Sequence, residues 1–186
     1  MEKNRFPLIM KSIAIITTLC TFLFILLYFR LQQGWILSCA ITFGTTAYHF
    51  VMRLCVGYIV PKLTNYAFDY RDFWFQPRSR ESAFYQKLHV RSWKAKLPTY
   101  SPSQFSLETN SLHQIIQNMC GAEIVHEIIM ILSFFPLLAV PFLGAWQVFL
   151  STSVLASLYD SIFVMAQRYN RPRIVRIYEK QESKHS

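Results

Sequence analysis

Long apolar stretches alternate along this chain of 186 residues with basic and aromatic ones. Four stretches are each long enough to cross a hydrocarbon core, which takes about 20 apolar residues. The first two carry no charged residue, and the last two carry a few acidic residues and one histidine: 12–29, 34–52, 122–143 and 145–165. The pattern predicts an all-α membrane protein, in which four transmembrane helices form a single integral-membrane domain spanning 1–186.

Basic residues orient the predicted bundle. The chain has 19 Lys and Arg residues against 10 Asp and Glu, which gives a net charge of +9. With four spans, 18 of the 19 basic residues lie on one side, and the positive-inside rule assigns that side to the cytoplasm. We therefore expect a multi-pass protein of the cell membrane with both termini, the central segment 53–121 and the tail 166–186 in the cytosol.

The central segment 53–121 is rich in aromatic residues interleaved with Lys and Arg. Rings and cations of this kind suit the headgroup layer of a membrane. The spacing predicts short interfacial helices, one of them over 81–88, and an amphipathic helix that leads into the third span from Asn110 as its N-cap. Membrane lipids are accordingly expected partners.

Composition excludes other classes of protein. Hydrophobic residues make up 53% of the chain, too many for a disordered protein. The basic residues lie between apolar stretches rather than on a polar exterior, so no nucleic-acid partner is expected. The four Cys residues show no CxxC or CxxH spacing, and neither a zinc site nor a redox pair is indicated.

The third and fourth predicted helices carry acidic residues and a histidine. A charge at the bilayer centre costs about 2.5–3.5 kcal/mol, and such residues therefore indicate function by default. Glu123 and His126 share one helix face, and Glu127 lies one turn beyond Glu123. The fourth helix returns through a tight connection near Gly144, which brings Asp160 to about the depth of this cluster. These side chains are expected to line a polar pocket.

An acid beside a histidine has a known use in catalysis. A carboxylate that accepts the Nδ1 proton leaves Nε2 free to take a proton from a hydroxyl group. We interpret His126 as a general base that Glu123 orients. Two alternatives stay open: the pair merely bonds neighbouring helices, or ExxH forms half of a di-iron motif. The second alternative needs another ExxH, which the chain lacks, and no metal is expected.

A basic cluster follows the fourth predicted span. Three arginines and an asparagine within six residues could hold a phosphate or a carboxylate: Arg168, Asn170, Arg171 and Arg173. Pro172 is expected to end the helix within a turn. The alternative is ordinary anchoring at the cytosolic membrane boundary.

Three pieces of the chain resemble the glycosyl-4,4'-diaponeurosporenoate acyltransferase family, whose members acylate a carotenoid glycoside. They are FYQKLHVRSWK at 84–94, AEIVH at 122–126 and QRYNRPR at 167–173. The resemblance implies transfer of a fatty acyl group to a sugar hydroxyl of a membrane glycolipid. It also implies an acyl donor, expected to be acyl-CoA, and a glycosylated lipid acceptor, with no other cofactor.

On this interpretation the donor phosphates meet the arginines of 168–173, with Lys94 or Arg91 adding charge, and Asn170 or an arginine stabilises the oxyanion. His89 is a second candidate base. The remaining expected substrate contacts are Asp160, Glu127 and Trp93. Two other functions stay open: a transacylase that takes its acyl group from a lipid without CoA, and a non-enzymatic protein that binds lipid or assists assembly.

Overall fold

The computed structural model describes residues 5–184, and over that part of the chain every regular element is a helix. Seven α-helices run in the order α1 Phe6–Leu31, α2 Gly34–Thr64, α3 Glu81–Lys87, α4 Val90–Trp93, α5 Leu112–Leu132, α6 Val140–Leu143 and α7 Trp146–Glu182. Four shorter 3₁₀ segments lie at Phe73–Phe75, Lys94–Lys96, Pro102–Phe105 and Phe135–Ala139. The ends of the predicted cytosolic termini, 1–4 and 185–186, lie outside the described residues.

Four helical stretches in the described part of the chain are long and apolar enough to cross a membrane: Phe6–Leu31, Gly34–Thr64, Leu112–Leu143 and Trp146–Glu182. The predicted all-α class with four membrane helices is confirmed. Placement of α3 and α4 at a membrane surface stays a prediction, as does the single domain. Contacts group the described residues into two compact units, one built from the chain up to Gly57 with Ile128–Tyr159, the other from Tyr58–Glu127 with the chain from Asp160 onward.

In the first unit, a proline interrupts the third apolar stretch. Pro136 has no N–H, so the carbonyl of Leu132, four residues earlier, loses its helical partner. The hydroxyl of Tyr48 on α2 donates to that carbonyl at 2.8 Å. The helix ends there and the chain continues as a 3₁₀ segment. A partly buried carbonyl that lacks its helical partner thus receives one from a neighbouring helix.

In the second unit, an aromatic segment packs against α5 and α7. Tyr70, Phe75, Ile116 and Cys120 form its buried core. Gly121 of α5 allows the close approach of this segment, because a Cβ there would lie 2.6 Å from Tyr66 Cε1. This packing fixes the position of residues 73–76, which take part in the site described below.

The start of α5 differs from the predicted one. Ser111, not Asn110, caps the helix: its Oγ accepts the Gln114 N–H at 3.2 Å, and Gln114 Oε1 accepts the Ser111 N–H at 2.9 Å. This reciprocal pair satisfies two donors that the first helical turn leaves free. Asn110 instead donates its side-chain amide to the carbonyl of Ser103, which fastens the preceding turn.

The end of α7 also differs from the prediction, since the helix continues through Pro172 to Glu182. Proline inside a helix removes one hydrogen bond, here the bond to the Arg168 carbonyl, without necessarily ending it. Arg173 and Arg176 therefore lie on the same helix as Asp160.

Candidate active site

His126 of α5 and Asp160 of α7 form a hydrogen-bonded pair. The distance from His126 Nδ1 to Asp160 Oδ1 is 2.9 Å. Asp160 is 1% exposed and the His126 side chain 24% exposed. Phe163 stacks on the imidazole with ring centroids 4.6 Å apart and planes 9° from parallel. The ring is thus held in place by one bond at its edge and one aromatic face.

The other nitrogen of this imidazole is available for chemistry. With the proton assigned to Nδ1, where it bonds the Asp160 carboxylate, Nε2 carries the lone pair. Within residues 5–184 no side chain or backbone group is hydrogen-bonded to His126 Nε2. A partly exposed imidazole with its far edge anchored by a buried carboxylate is the arrangement of a general base.

Glu123 does not orient His126, and that expectation was wrong. The Glu123 carboxylate is completely buried, its Oε1 accepts Arg168 Nη1 at 2.6 Å, and its Oε2 accepts Arg171 Nη1. Two guanidinium charges bind a carboxylate more strongly than a neutral imidazole does. The acid that bonds His126 comes instead from the opposite helix.

Arg168 uses all five of its N–H donors on protein groups. Besides Glu123, it bonds Glu81 through Nε at 3.1 Å and through Nη2 at 2.7 Å. Its remaining donors reach the backbone carbonyls of Trp74 at 3.0 Å and Gln76 at 3.1 Å. Arg168 thereby ties α7 to α3, to α5 and to the 3₁₀ segment Phe73–Phe75.

The guanidinium of Arg171 likewise bonds groups within the protein. It is 2% exposed, its Nη2 donates to the Phe75 carbonyl at 2.5 Å, and its guanidinium lies 5.0 Å from the Phe75 ring centroid. The expectation that Arg168 and Arg171 face a donor phosphate does not fit these contacts. With Glu123 they form a buried ionic cluster that holds residues 74–76 in place.

Lys94 and Asn170 bring two of the three sequence pieces together. Lys94 Nζ donates to Asn170 Oδ1 and lies 4.6 Å from the centre of the Tyr169 ring. Arg173 lies 4.2 Å from the same ring centre and donates to the Tyr169 hydroxyl at 2.7 Å. Burial, followed by the charges of Arg173 and Arg91, lowers the pKa of Lys94 below its usual value.

Asn170 lies far from the imidazole. It follows Asp160 by ten residues on the continuous helix α7, which corresponds to about 15 Å along the axis. The expected role of Asn170 in stabilising an oxyanion at His126 therefore does not fit the structure.

Glu127 and Trp93 have partners of their own. Glu127 Oε2 accepts the Trp74 indole N–H at 2.9 Å, which fastens the 3₁₀ segment to α5. Trp93 donates its indole N–H to the Leu88 carbonyl at 3.0 Å. These bonds give both residues structural contacts in the second unit.

A cavity of about 960 Å³ opens between α3, α4 and α7. Its basic lining residues are Arg78, Arg91, Arg168, Arg173, Arg176 and the exposed His89, whose Nδ1 lies 3.1 Å from the Lys87 carbonyl. His126 does not line this cavity. Sequence reasoning included Arg91, Arg173 and His89 but missed Arg78 and Arg176. The i, i+3 spacing of Arg173 and Arg176 would have revealed the latter on a helix that continues past Pro172.

Metal-ligating residues do not gather in the described part of the chain. Between Arg5 and Lys184, no group of three or more His, Cys, Asp or Glu side chains is placed to hold a metal ion.

The four apolar helices of the described residues indicate a multi-pass membrane protein. The model of the glycosyl-4,4'-diaponeurosporenoate acyltransferase family matches residues 71–180, more than half of the chain. The chain belongs to this acyltransferase family, and the resemblance stated from its three sequence pieces is confirmed. No curated protein and no solved structure matches the chain.

Proposed function

We propose that this protein is a membrane O-acyltransferase that moves a fatty acyl group from an activated donor to a hydroxyl of a membrane glycolipid. Membership of an acyltransferase family and four membrane-type helices support the general class. The observation that carries the mechanism is the His126–Asp160 pair, with Nδ1 and Oδ1 2.9 Å apart and Nε2 unbonded in the described part of the chain. We further propose that both termini are cytosolic and that the protein lies in the cell membrane.

In the proposed reaction, His126 Nε2 takes the proton of the acceptor hydroxyl as its oxygen attacks the donor carbonyl carbon. Asp160 accepts the Nδ1–H bond and stabilises the imidazolium that forms. The donor is taken to be an acyl thioester. The bond from its carbonyl carbon to its sulfur then breaks, and the imidazolium returns its proton to the departing thiolate. Acceptor oxygen replaces donor sulfur on the acyl group, no electrons are exchanged, and no acyl-enzyme is required.

The acceptor is proposed to be a glycolipid of the carotenoid glycoside type, because the family's name describes one. A sugar supplies hydroxyl groups at the membrane surface, while an apolar tail keeps it among the membrane helices. His126 is the residue proposed to contact the reacting hydroxyl and its proton, whereas Asp160, which is 1% exposed, acts through its bond to His126 Nδ1.

Transfer by the purified full chain tests the proposed function. The protein is placed in liposomes with an isotopically labelled fatty acyl thioester and a glycosylated carotenoid acid, and products are followed by mass spectrometry. We expect the acceptor to gain one labelled acyl group, in a time-dependent reaction that is absent from empty liposomes. An acceptor that stays unmodified while the protein is folded would contradict the proposal, leaving a non-enzymatic lipid-binding role.

A further inference from the structure

The cavity between α3, α4 and α7 carries a strong excess of positive charge. Arg78, Arg91, Arg173 and Arg176 line it, and all four are exposed. Among the described residues, Glu81 is its single acidic lining residue, and Arg168 already neutralises that carboxylate at 2.7 Å. The four exposed arginines therefore remain without an acidic partner in the cavity.

These four arginines differ from Arg168 and Arg171, whose guanidinium groups form ion pairs within the protein. Arg78, Arg91 and Arg176 make no side-chain hydrogen bond or ion pair within residues 5–184, and Arg173 bonds only the neutral hydroxyl of Tyr169 there. Guanidinium groups that the fold does not use can bind phosphate oxygens with two parallel bonds each. Four of them exceed what a single phosphodiester charge requires, so the cavity suits a ligand with several phosphate groups.

The distance between the cavity and the imidazole limits the shape of that ligand. Tyr169 and Arg173 line the cavity and follow Asp160 by nine and thirteen residues on α7. At 1.5 Å per residue, they lie about 14 and 20 Å along the axis from Asp160, whose carboxylate bonds His126. A phosphate in the cavity and a carbonyl at His126 thus belong to one molecule only if a long arm joins them.

This spacing separates two classes of acyl donor. In a phospholipid, only a few bonds lie between the phosphate and the nearest acyl ester. In a phosphopantetheine thioester, about twelve bonds join the phosphate to the sulfur, and at about 1.2 Å per extended bond they reach about 14 Å. The second class reaches from the imidazole to the near side of the cavity at Tyr169, and the first is too short.

We propose that the cavity binds the multi-phosphate head of a nucleotide-linked acyl thioester, whose pantetheine arm carries the thioester to His126. This inference rests on the proposed function, because it names the donor of that reaction. Arg78, Arg91, Arg173 and Arg176 hold the phosphates, and the arm runs beside α7 toward Asp160. The donor's head and its reacting carbonyl therefore occupy different places within the second unit.

Recognition of the donor's pantetheine arm and recognition of its phosphate head are tested separately with two donors. Acyl-CoA and acyl-pantetheine present the same thioester and arm, but only the former carries phosphates. We expect the Arg78→Gln/Arg176→Gln double variant to raise the KM for acyl-CoA about 100-fold, about tenfold for each lost charged contact. Its kcat, and its kinetics with acyl-pantetheine, should match those of the unchanged protein.

The matched control is Arg80→Gln, because Arg80 is also exposed but does not line the cavity. This variant should leave both donors unaffected. Equal use of acyl-CoA and acyl-pantetheine by the unchanged protein would overturn the inference, as would a double variant that weakens both donors alike. Transfer from phospholipid alone, without a soluble thioester, would also overturn it.

Binding distinguishes failure of this inference from failure of the proposed function. Calorimetric titration of the full chain in detergent with adenosine 3',5'-bisphosphate should give saturable binding that the double variant weakens about 100-fold. Absence of such binding, while the unchanged protein still acylates the glycolipid, overturns the cavity assignment alone. Absence of acyl transfer from every donor, with binding intact, overturns the proposed function instead.

Discussion

Replacing His126 by Asn is expected to lower the rate of acyl transfer about 10²–10⁴-fold, the contribution that a positioned general base usually makes. Asn has no nitrogen lone pair comparable in basicity to Nε2, so the acceptor hydroxyl must attack without losing its proton to the protein. Because His126 is partly exposed, the substitution should leave the amount of folded protein nearly unchanged. The measurement compares kcat/KM in liposomes with that of the unchanged chain.

His89→Asn is the matched control for this experiment. His89 is the second histidine that the sequence offered as a base, but it is exposed at the basic cavity, with Nδ1 3.1 Å from the Lys87 carbonyl. We expect this variant to keep its kcat within a few-fold of the original. If His89→Asn abolished transfer and His126→Asn did not, the roles assigned to the two imidazoles would be exchanged.

Glu123→Gln should have the largest effect on stability. Removing one partner of a buried ion pair costs about 3–5 kcal/mol, because the remaining charge stays buried without compensation. Here one carboxylate serves both Arg168 and Arg171, and those arginines in turn hold three backbone carbonyls of residues 74–76. Unfolding of the purified variant, followed by circular dichroism in detergent micelles, should begin at a much lower temperature.

Glu127→Gln provides the comparison on the same helix. Its carboxylate accepts one neutral indole N–H from Trp74, and a glutamine oxygen can accept that bond equally well. We expect a change in unfolding free energy below about 1 kcal/mol. Equal thermal shifts for the two variants would show that Glu123 is not the centre of an ionic cluster.

Much of the architecture could be predicted from the lengths of the apolar stretches alone. A stretch of about 20 uncharged residues must satisfy its backbone bonds internally in lipid, and a helix does this. The four candidate spans followed directly from this rule. The ends of the helices were harder to predict. Pro172 lies within α7, although proline usually ends or kinks a helix. Its effect depends on packing around it, which the sequence does not display.

The sequence predicted which side chains of the site lie near one another, but not which of them form hydrogen bonds or ion pairs. Counting residues from the turn near Gly144 placed Asp160 at the depth of His126, and the two side chains are bonded. The same reasoning could not tell whether Glu123 would bond the imidazole or an arginine. Helical spacing shows which residues share a face, whereas the strongest pairing depends on charges that arrive from other elements.

The basic cavity was partly missed for a related reason. Arg78 lies in a segment without regular hydrophobic spacing, and only the folded chain places it beside α7. Arg176 was overlooked because the helix was expected to end near Pro172. Conversely, Arg168 and Arg171 looked like a phosphate site because their internal partners, Glu123 and Glu81, lie more than 40 residues away in sequence.

The most direct test of the account is a double-variant cycle on the hydrogen-bonded pair. Acyl transfer is measured for His126→Asn, for Asp160→Asn and for the variant that carries both. If Asp160 acts through His126, each single change lowers kcat/KM by at least about 100-fold, and the combined variant is no slower than His126→Asn alone. Losses that multiply, so that the combined variant is far slower than either single one, would contradict a base and its orienting acid working as one unit.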